Sequence, residues 1–264
     1  MTRHNVIVFG ECGAGKSSVV NMLAGDNVAD TSSKATGCTL TSDCYCVNIR
    51  GSPFYLHDTA GLNEGDQGRV PKNEAIVQLF TLIKRLEDGV SLLVFVMRGR
   101  IKESTVSNWR LFQEVICKSQ VPTVIVITGL EGEDDMDDWW FNNKEAFRGY
   151  GIRPDGHACI TATKGRRRPN GVFKLQEEYD ESKHKVERLM RSTFLQSPWK
   201  MDTITWFTKI LTTEVVLFRF FFWKLWTTTR KIGEIRGAVN DLVDRCGMSR
   251  GDAEALAKLL EAAN

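Results

Sequence analysis

Apolar positions along this chain gather into short unbroken runs, separated by longer stretches of mixed polarity. Val6–Phe9, Val90–Met97 and Val121–Thr128 are such runs, rich in β-branched residues. A run without alternation predicts a strand buried on both faces. Cys44–Ile49 and Phe54–His57 predict two more strands, joined by a turn at Gly51-Ser52-Pro53. So short a link makes that pair antiparallel. Ala158–Thr161 predicts a last short strand. Helices are predicted over Ser17–Leu23, Glu74–Leu86, Ser104–Lys118, Trp139–Phe147 and Tyr179–Phe194, with Ser104 as a cap. Residues 30–41 and 61–72 read as polar loops, and the acidic run 131–138 as surface loop or a first helical turn. Strands alternating with helices predict an α/β fold of three layers, with a mainly parallel sheet and one antiparallel edge strand. Pro198 marks a break, so residues 1–195 are expected to form the globular domain and 196–264 a helical extension.

Composition narrows the class. With 264 residues, 42% apolar and 26% charged, the chain sustains one good core and an extension. A net charge of +2 gives no field to attract nucleic acid, and none is expected as partner. Seven cysteines without a Cys-x-x-Cys pair argue against structural zinc, and the odd count against a disulfide scaffold. The opening Met-Thr-Arg-His-Asn lacks a long apolar signal segment, so a reducing, cytoplasmic setting is expected. Residues 203–226 are rich in bulk, from Trp206 and Phe207 to Phe220–Trp223 and Trp226. Lys209, Glu214, Arg219 and Lys224 interrupt them, leaving no uncharged stretch near the ~20 residues of a membrane span. Packing on the chain's own domain, self-association and a membrane surface are the three readings. Ile232–Val243 and Ala253–Leu260 predict further helices.

The candidate chemistry begins at Gly10-Glu11-Cys12-Gly13-Ala14-Gly15-Lys16-Ser17, which matches G-x-x-x-x-G-K-[ST] between a predicted strand and a predicted helix. In such a loop the backbone N–H groups of Gly10, Cys12, Gly13, Ala14 and Gly15 turn inward around phosphates. The following helix, opening at Ser17 and Ser18, adds its dipole. Lys16 is expected to reach the β and γ phosphates, and Ser17 to ligate magnesium. Glu11 is expected to point outward, and Cys12 to be a packed, inert thiol. Asp58-Thr59-Ala60-Gly61 closes a strand about forty residues on. Asp58 there can hold the metal through a water, and the Gly61 N–H can meet the γ phosphate. Of Thr31, Thr36 and Thr39 in the intervening loop, Thr36 is the choice to complete the metal shell, with Thr39 next. A segment ordered by phosphate and metal, then released, is a switch.

These residues resemble a P-loop GTPase, and more narrowly the AIG1-type family. That family includes the immune-associated GIMAP proteins and the chloroplast import receptor GTPases, with septins more distant. Three features carry the resemblance: the phosphate loop followed by Thr36-Gly37-Cys38, the run Asp58-Thr59-Ala60-Gly61-Leu62, and Leu92–Met97 leading into Arg98-Gly99-Arg100-Ile101-Lys102-Glu103. Ile101 departs from the usual aromatic. The resemblance covers about residues 4–195. It implies a guanine-reading loop after the fifth strand, where Thr128 and Glu131 fit the family's Thr-Arg-x-[Asp/Glu]. Gly129 lacks a side chain to cover the base, and Glu133, Asp134 and Asp135 are alternative acids. Ala162, Thr163 and Lys164 resemble the loop that touches the guanine oxygen. Trp139 and Trp140 are considered as a stacking wall, and Arg166-Arg167-Arg168 as a phosphate or membrane patch.

For hydrolysis, the position that orients water in Ras-like proteins is Leu62, which cannot do so. Gln67 and Glu64 are the better candidates nearby, with Asn63 and Asp66 behind them. His57 reads as a packed histidine rather than a base. Arg98 and Arg100 are candidate charge-stabilising fingers, within the chain or across a homodimer facing at the nucleotide pockets. The implied function is magnesium-dependent GTP binding with slow hydrolysis, acting as a switch or scaffold. A base-promiscuous NTPase, using ATP as well, and a binding module without useful turnover are the alternatives.

Overall fold

Six strands build one sheet among the described residues: β1 (His4–Gly10), β2 (Asp43–Ile49), β3 (Ser52–Asp58), β4 (Leu92–Arg98), β5 (Thr123–Thr128) and β6 (Gly156–Cys159). They belong to a computed structural model that describes residues 3–25, 43–59, 82–83, 85–117, 119–200 and scattered positions between 239 and 258. Thr31, Thr36, Thr39, Gly61, Leu62, Asn63, Glu64, Asp66, Gln67 and the aromatic segment 203–226 lie outside the described residues. The strand order is β2-β3-β1-β4-β5-β6. All neighbours are parallel except the edge pair β2 and β3. That pair turns at Arg50-Gly51, both with positive φ, one residue earlier than the sequence suggested. Two such residues make the primed turn whose twist suits a hairpin.

Among the described residues, the complete helices are α1 (Lys16–Ala24), α2 (Glu103–Trp109), α3 (Met136–Gly149) and α4 (Gln176–Thr193). From Arg110 to Ile116, α2 continues as a π-helix instead of the regular helix expected through Lys118. Trp109, Leu111 and Phe112 across that junction are all buried.

The unbroken apolar runs are explained by two cores, one on each sheet face. Ile7, Phe9, Leu93, Phe95 and Met97 face one cluster, with Trp109 and Phe112 of the α2 region. Val6, Val8, Leu92, Val94 and Val96 face the other, with Val19 and Val20 of α1 and Val186 and Met190 of α4. Successive side chains point to opposite faces, so a strand covered on both sides must be apolar throughout. The Phe9 and Phe112 rings stack with centroids 3.9 Å apart. Past α4 the chain still pairs with the sheet region: Trp199 and Val90 exchange backbone bonds of 2.9 and 2.7 Å. Val239 and Ala253 are buried in the Phe9 cluster. No helix among the described residues is long and apolar enough to cross a membrane.

Candidate nucleotide-binding site

Parallel pairing brings the carboxyl ends of β1, β3, β4, β5 and β6 to one edge of the sheet. Strand order reverses at β1, with β3 on one side and β4 on the other. Ligands of open α/β sheets bind at that reversal. The loop Gly10–Ser17 sits there.

Its geometry starts with Gly10. Its φ is 146°, and a Cβ there would meet the Val96 carbonyl oxygen at 2.0 Å. No other residue fits without moving β4. The loop then bends, with the Ala14 N–H donating to Glu11 O at 3.2 Å, and Gly15 caps α1 in the left-handed region. Lys16 is buried, and its Nζ donates to the Gly10 and Glu11 carbonyls at 3.3 and 3.2 Å. The ammonium thus lies within the curl of the loop. The Ser17 hydroxyl donates to Asp58 Oδ2 at 2.6 Å, joining α1 to the end of β3. Thr59 fixes that end by donating from its hydroxyl to Val8 O at 2.8 Å. Ser18 is half-buried in the first turn of α1.

Thr128 braces the loop from the other side. Its buried hydroxyl lies 2.7 Å from Ala14 O and 3.3 Å from Met97 O. The side chain therefore supports the loop's backbone, a role the sequence did not reveal.

Glu11 corrects an expectation. Instead of pointing outward, its carboxylate accepts from Ser104 Oγ at 2.7 Å and Thr105 Oγ1 at 3.0 Å, with Lys102 Nζ at 3.1 Å. The start of α2 offers two hydroxyls and a cation at one point, and a carboxylate takes all three. The same contact explains why Ser104 is not the helix cap. Lys102 holds that position, and its N–H donates to Thr105 Oγ1 at 3.0 Å. Cys12 is likewise not packed. It is exposed on the bend, outside both core clusters.

The opposite half of the edge is looser. Glu131 lies past β5, and its Oε2 accepts from Thr161 Oγ1 at 3.4 Å. Arg98, at the end of β4, does not stand free as a finger. Its Nη2 is 3.7 Å from Glu131 Oε1. Arg100 is exposed. Beyond β6, the Thr161 hydroxyl lies 3.3 Å from Thr163 O and 3.4 Å from the Thr163 N–H. Lys164 Nζ lies over the rings of Tyr179 and Phe173, at 5.0 and 5.8 Å. Glu133 and Asp134 are exposed, while Asp135 caps α3 by accepting from the Asp137 N–H at 2.9 Å. Trp139 and Trp140 do not form a free wall. Both pack near Phe147, and Trp140 stacks on His157 with centroids 4.2 Å apart. Arg167 Nε closes its own turn by donating to Gly171 O at 3.0 Å.

His57 is packed, as its alternation suggested. Its Nε2 is 3.2 Å from Asn5 Oδ1, and Asn5 Nδ2 donates to Gly89 O. Burial, aided by the Arg3 charge, pushes its pKa down to about 4. A ring kept neutral this way is poorly suited to take up a proton near neutrality.

Residues 5–129 match the model of the 50S ribosome-binding GTPase family. Immune-associated nucleotide-binding protein 10 of Arabidopsis thaliana is 28% identical over 137 residues, covering 51% of this chain and 28% of that protein. Immune-associated nucleotide-binding protein 4 of the same plant is 29% identical over 133 residues, covering 49% and 40%. The matched stretch is thus less than half the length of either relative. Among solved structures, Era in complex with MgGDPNP and nucleotides of 16S ribosomal RNA aligns with a TM-score of 0.52 at 18% identity, over 76% of this chain and 60% of that one. Over residues 5–129 the chain resembles P-loop GTPases, and among curated relatives the immune-associated nucleotide-binding proteins of the AIG1 type.

Proposed function

We propose that the chain binds GTP with magnesium and hydrolyses its γ phosphate slowly, as a nucleotide-controlled switch or scaffold. The observation that carries this is the Ser17 hydroxyl held 2.6 Å from the Asp58 carboxylate, beside the buried Lys16. Two hard oxygens, one from the first turn of α1 and one from the end of β3, suit magnesium, which takes one or two protein oxygens plus phosphate and water. Ser17 and Asp58 would hold it, with Thr36 completing the shell. When bound, the metal supplies positive charge against the phosphate oxygens.

The chain's own groups do the rest. Loop N–H groups from Gly10 to Ser17 orient the phosphates. Lys16 leaves its two carbonyl partners for the β and γ oxygens, exchanging neutral bonds for charge-assisted ones. Gly61 is the proposed N–H donor to the γ phosphate, and Gln67 or Glu64 the group that orients water. On the base side, Glu131 takes the donor edge of guanine, with the Ala162–Lys164 segment beside the ring. Leu62 cannot position water, so turnover is slow without a partner. A homodimer facing at the nucleotide edge belongs to the same proposal, with the exposed Arg100 as the group that reaches the second copy.

A second reading, relaxed base choice, is favoured by one observation. Both contacts that fix Glu131 are long, 3.4 and 3.7 Å, at a half-exposed side chain. Product analysis after incubation with GTP, GDP, ATP and ADP tests both readings. GTP converted to GDP and phosphate, with ATP untouched, is the expected result. Equal use of ATP favours the second reading, and no phosphate release overturns hydrolysis.

A further inference from the structure

We propose that Arg98 covers the face of the bound base, doing so in place of the side chain that Gly129 lacks. The proposal rests on the reading of Glu131 as the group that takes the base edge.

Arg98 and Thr128 are partners in register at the carboxyl ends of β4 and β5. Gly129 follows at once, with φ 80°. A Cβ built on Gly129 would lie 2.6 Å from Arg98 Nε, 3.1 Å from its Cγ and 3.2 Å from its Cδ. The arginine stem thus occupies the volume that a side chain at position 129 would enter. Its tip continues to Glu131, with Nη2 3.7 Å from Oε1. One side chain therefore spans from above Gly129 to the acid that reads the base.

Geometry and chemistry agree on what that arrangement can do. A purine whose edge donates to Glu131 has its ring in the plane of that carboxylate, and a flat ring needs cover on its faces. The Arg98 guanidinium is flat and stacks on aromatic faces. Its side chain is 60% exposed, so a ligand can reach it. The Arg98–Glu131 pair is long and partly solvated, so its rearrangement on binding costs little. Thr128, the register partner of Arg98, is bonded to Ala14 O. The cover is thereby tied to the phosphate loop through the paired ends of β4 and β5. The ligand class is a purine with donors on its edge, guanine first and hypoxanthine next.

The test uses the full chain with magnesium, and calorimetric titration of GDP and IDP. These two differ in one exocyclic amino group on the edge and present similar faces. Arg98→Ala is expected to weaken both by the same factor, about tenfold. Arg98→Lys recovers part of the loss, since a lysine stem covers but is not planar. Thermal unfolding of the nucleotide-free Arg98→Ala chain stays at the wild-type midpoint, which separates covering from a structural role. Unchanged affinity for both nucleotides would overturn the proposal, and so would a loss confined to GDP. Glu131→Ala is run beside it and is expected to bring GDP down to the level of IDP. If the GDP preference survives in Glu131→Ala, the reading of Glu131 falls, and the Arg98→Ala titrations still decide for or against the cover.

Discussion

The two ends of the candidate site are built to different standards. At the phosphate end Lys16, Asp58 and Thr128 are buried, and the Ser17 and Thr128 contacts are short. Ser17 meets Asp58 at 2.6 Å, Thr128 meets Ala14 at 2.7 Å, and Lys16 is enclosed by the loop it serves. At the base end Glu131 is held by contacts of 3.4 and 3.7 Å, and its partner Arg98 is largely exposed. Buried polar groups leave little room for rearrangement, because each lost bond carries the full desolvation penalty. Exposed pairs exchange with water at almost no cost. The difference teaches where affinity and choice reside. In the proposed function the phosphate-side groups are already gathered at the loop, with Lys16 changing partners on binding, while base choice would depend on side chains that settle around the ring.

That contrast can be broken from the phosphate end, starting with the largest effect. Lys16→Ala removes the one cation inside the loop and is expected to weaken binding of a non-hydrolysable GTP analogue about a thousandfold. Titration calorimetry reads it, and wild-type affinity would end the account of this end. Asp58→Asn keeps the shape and removes the charge, so the loss is smaller, about thirtyfold, and appears with magnesium but not with EDTA. Thr128→Ala leaves the Ala14 carbonyl without its buried donor. About 2 kcal/mol of stability should be lost in urea unfolding, with a matching weakening for every nucleotide whatever its base. A loss restricted to guanine nucleotides would move Thr128 from bracing to base reading.

Smaller effects sharpen the same division. Glu11→Gln keeps an acceptor for Ser104 and Thr105 but gives up the charge, for about 1 kcal/mol in urea unfolding and unaltered base preference. Thiol mapping by alkylation at pH 8 and peptide mass spectrometry gives the finest scale. Cys117 and Cys159 should resist, because burial pushes both thiols up to about 12 and leaves almost no thiolate. Cys12, exposed on the loop, should react and be slowed severalfold by nucleotide with magnesium. A Cys12 rate indifferent to nucleotide would place the ligand elsewhere.

The two ends also differ in how far they could be read from the chain. Gly10, Lys16 and Ser17 act through backbone bends and a helix start within eight consecutive residues, so their spacing is visible locally. The strand runs were legible for a similar reason, since burial on both faces leaves a run such as Leu92–Met97 without polar interruption. Glu11 was misread because its partners Ser104 and Thr105 lie 93 and 94 positions away. A capping residue and a carboxylate's donor look alike in sequence, so the role of Ser104 went astray with it. Cys12 was misread because a small apolar thiol is ordinarily packed, whereas this one sits on a bend. Arg98 over Gly129 follows from the register of β4 on β5, which no local pattern encodes. Residues brought together by topology stay hidden until the sheet is assembled.

The most direct measurement compares three ligands of the intact chain with magnesium: a non-hydrolysable GTP analogue, its inosine counterpart, and GMP. The account predicts that GMP, with the same base and neither β nor γ phosphate, loses at least about a thousandfold in affinity, while the inosine analogue loses tenfold or less. GMP binding as tightly as the triphosphate would contradict it.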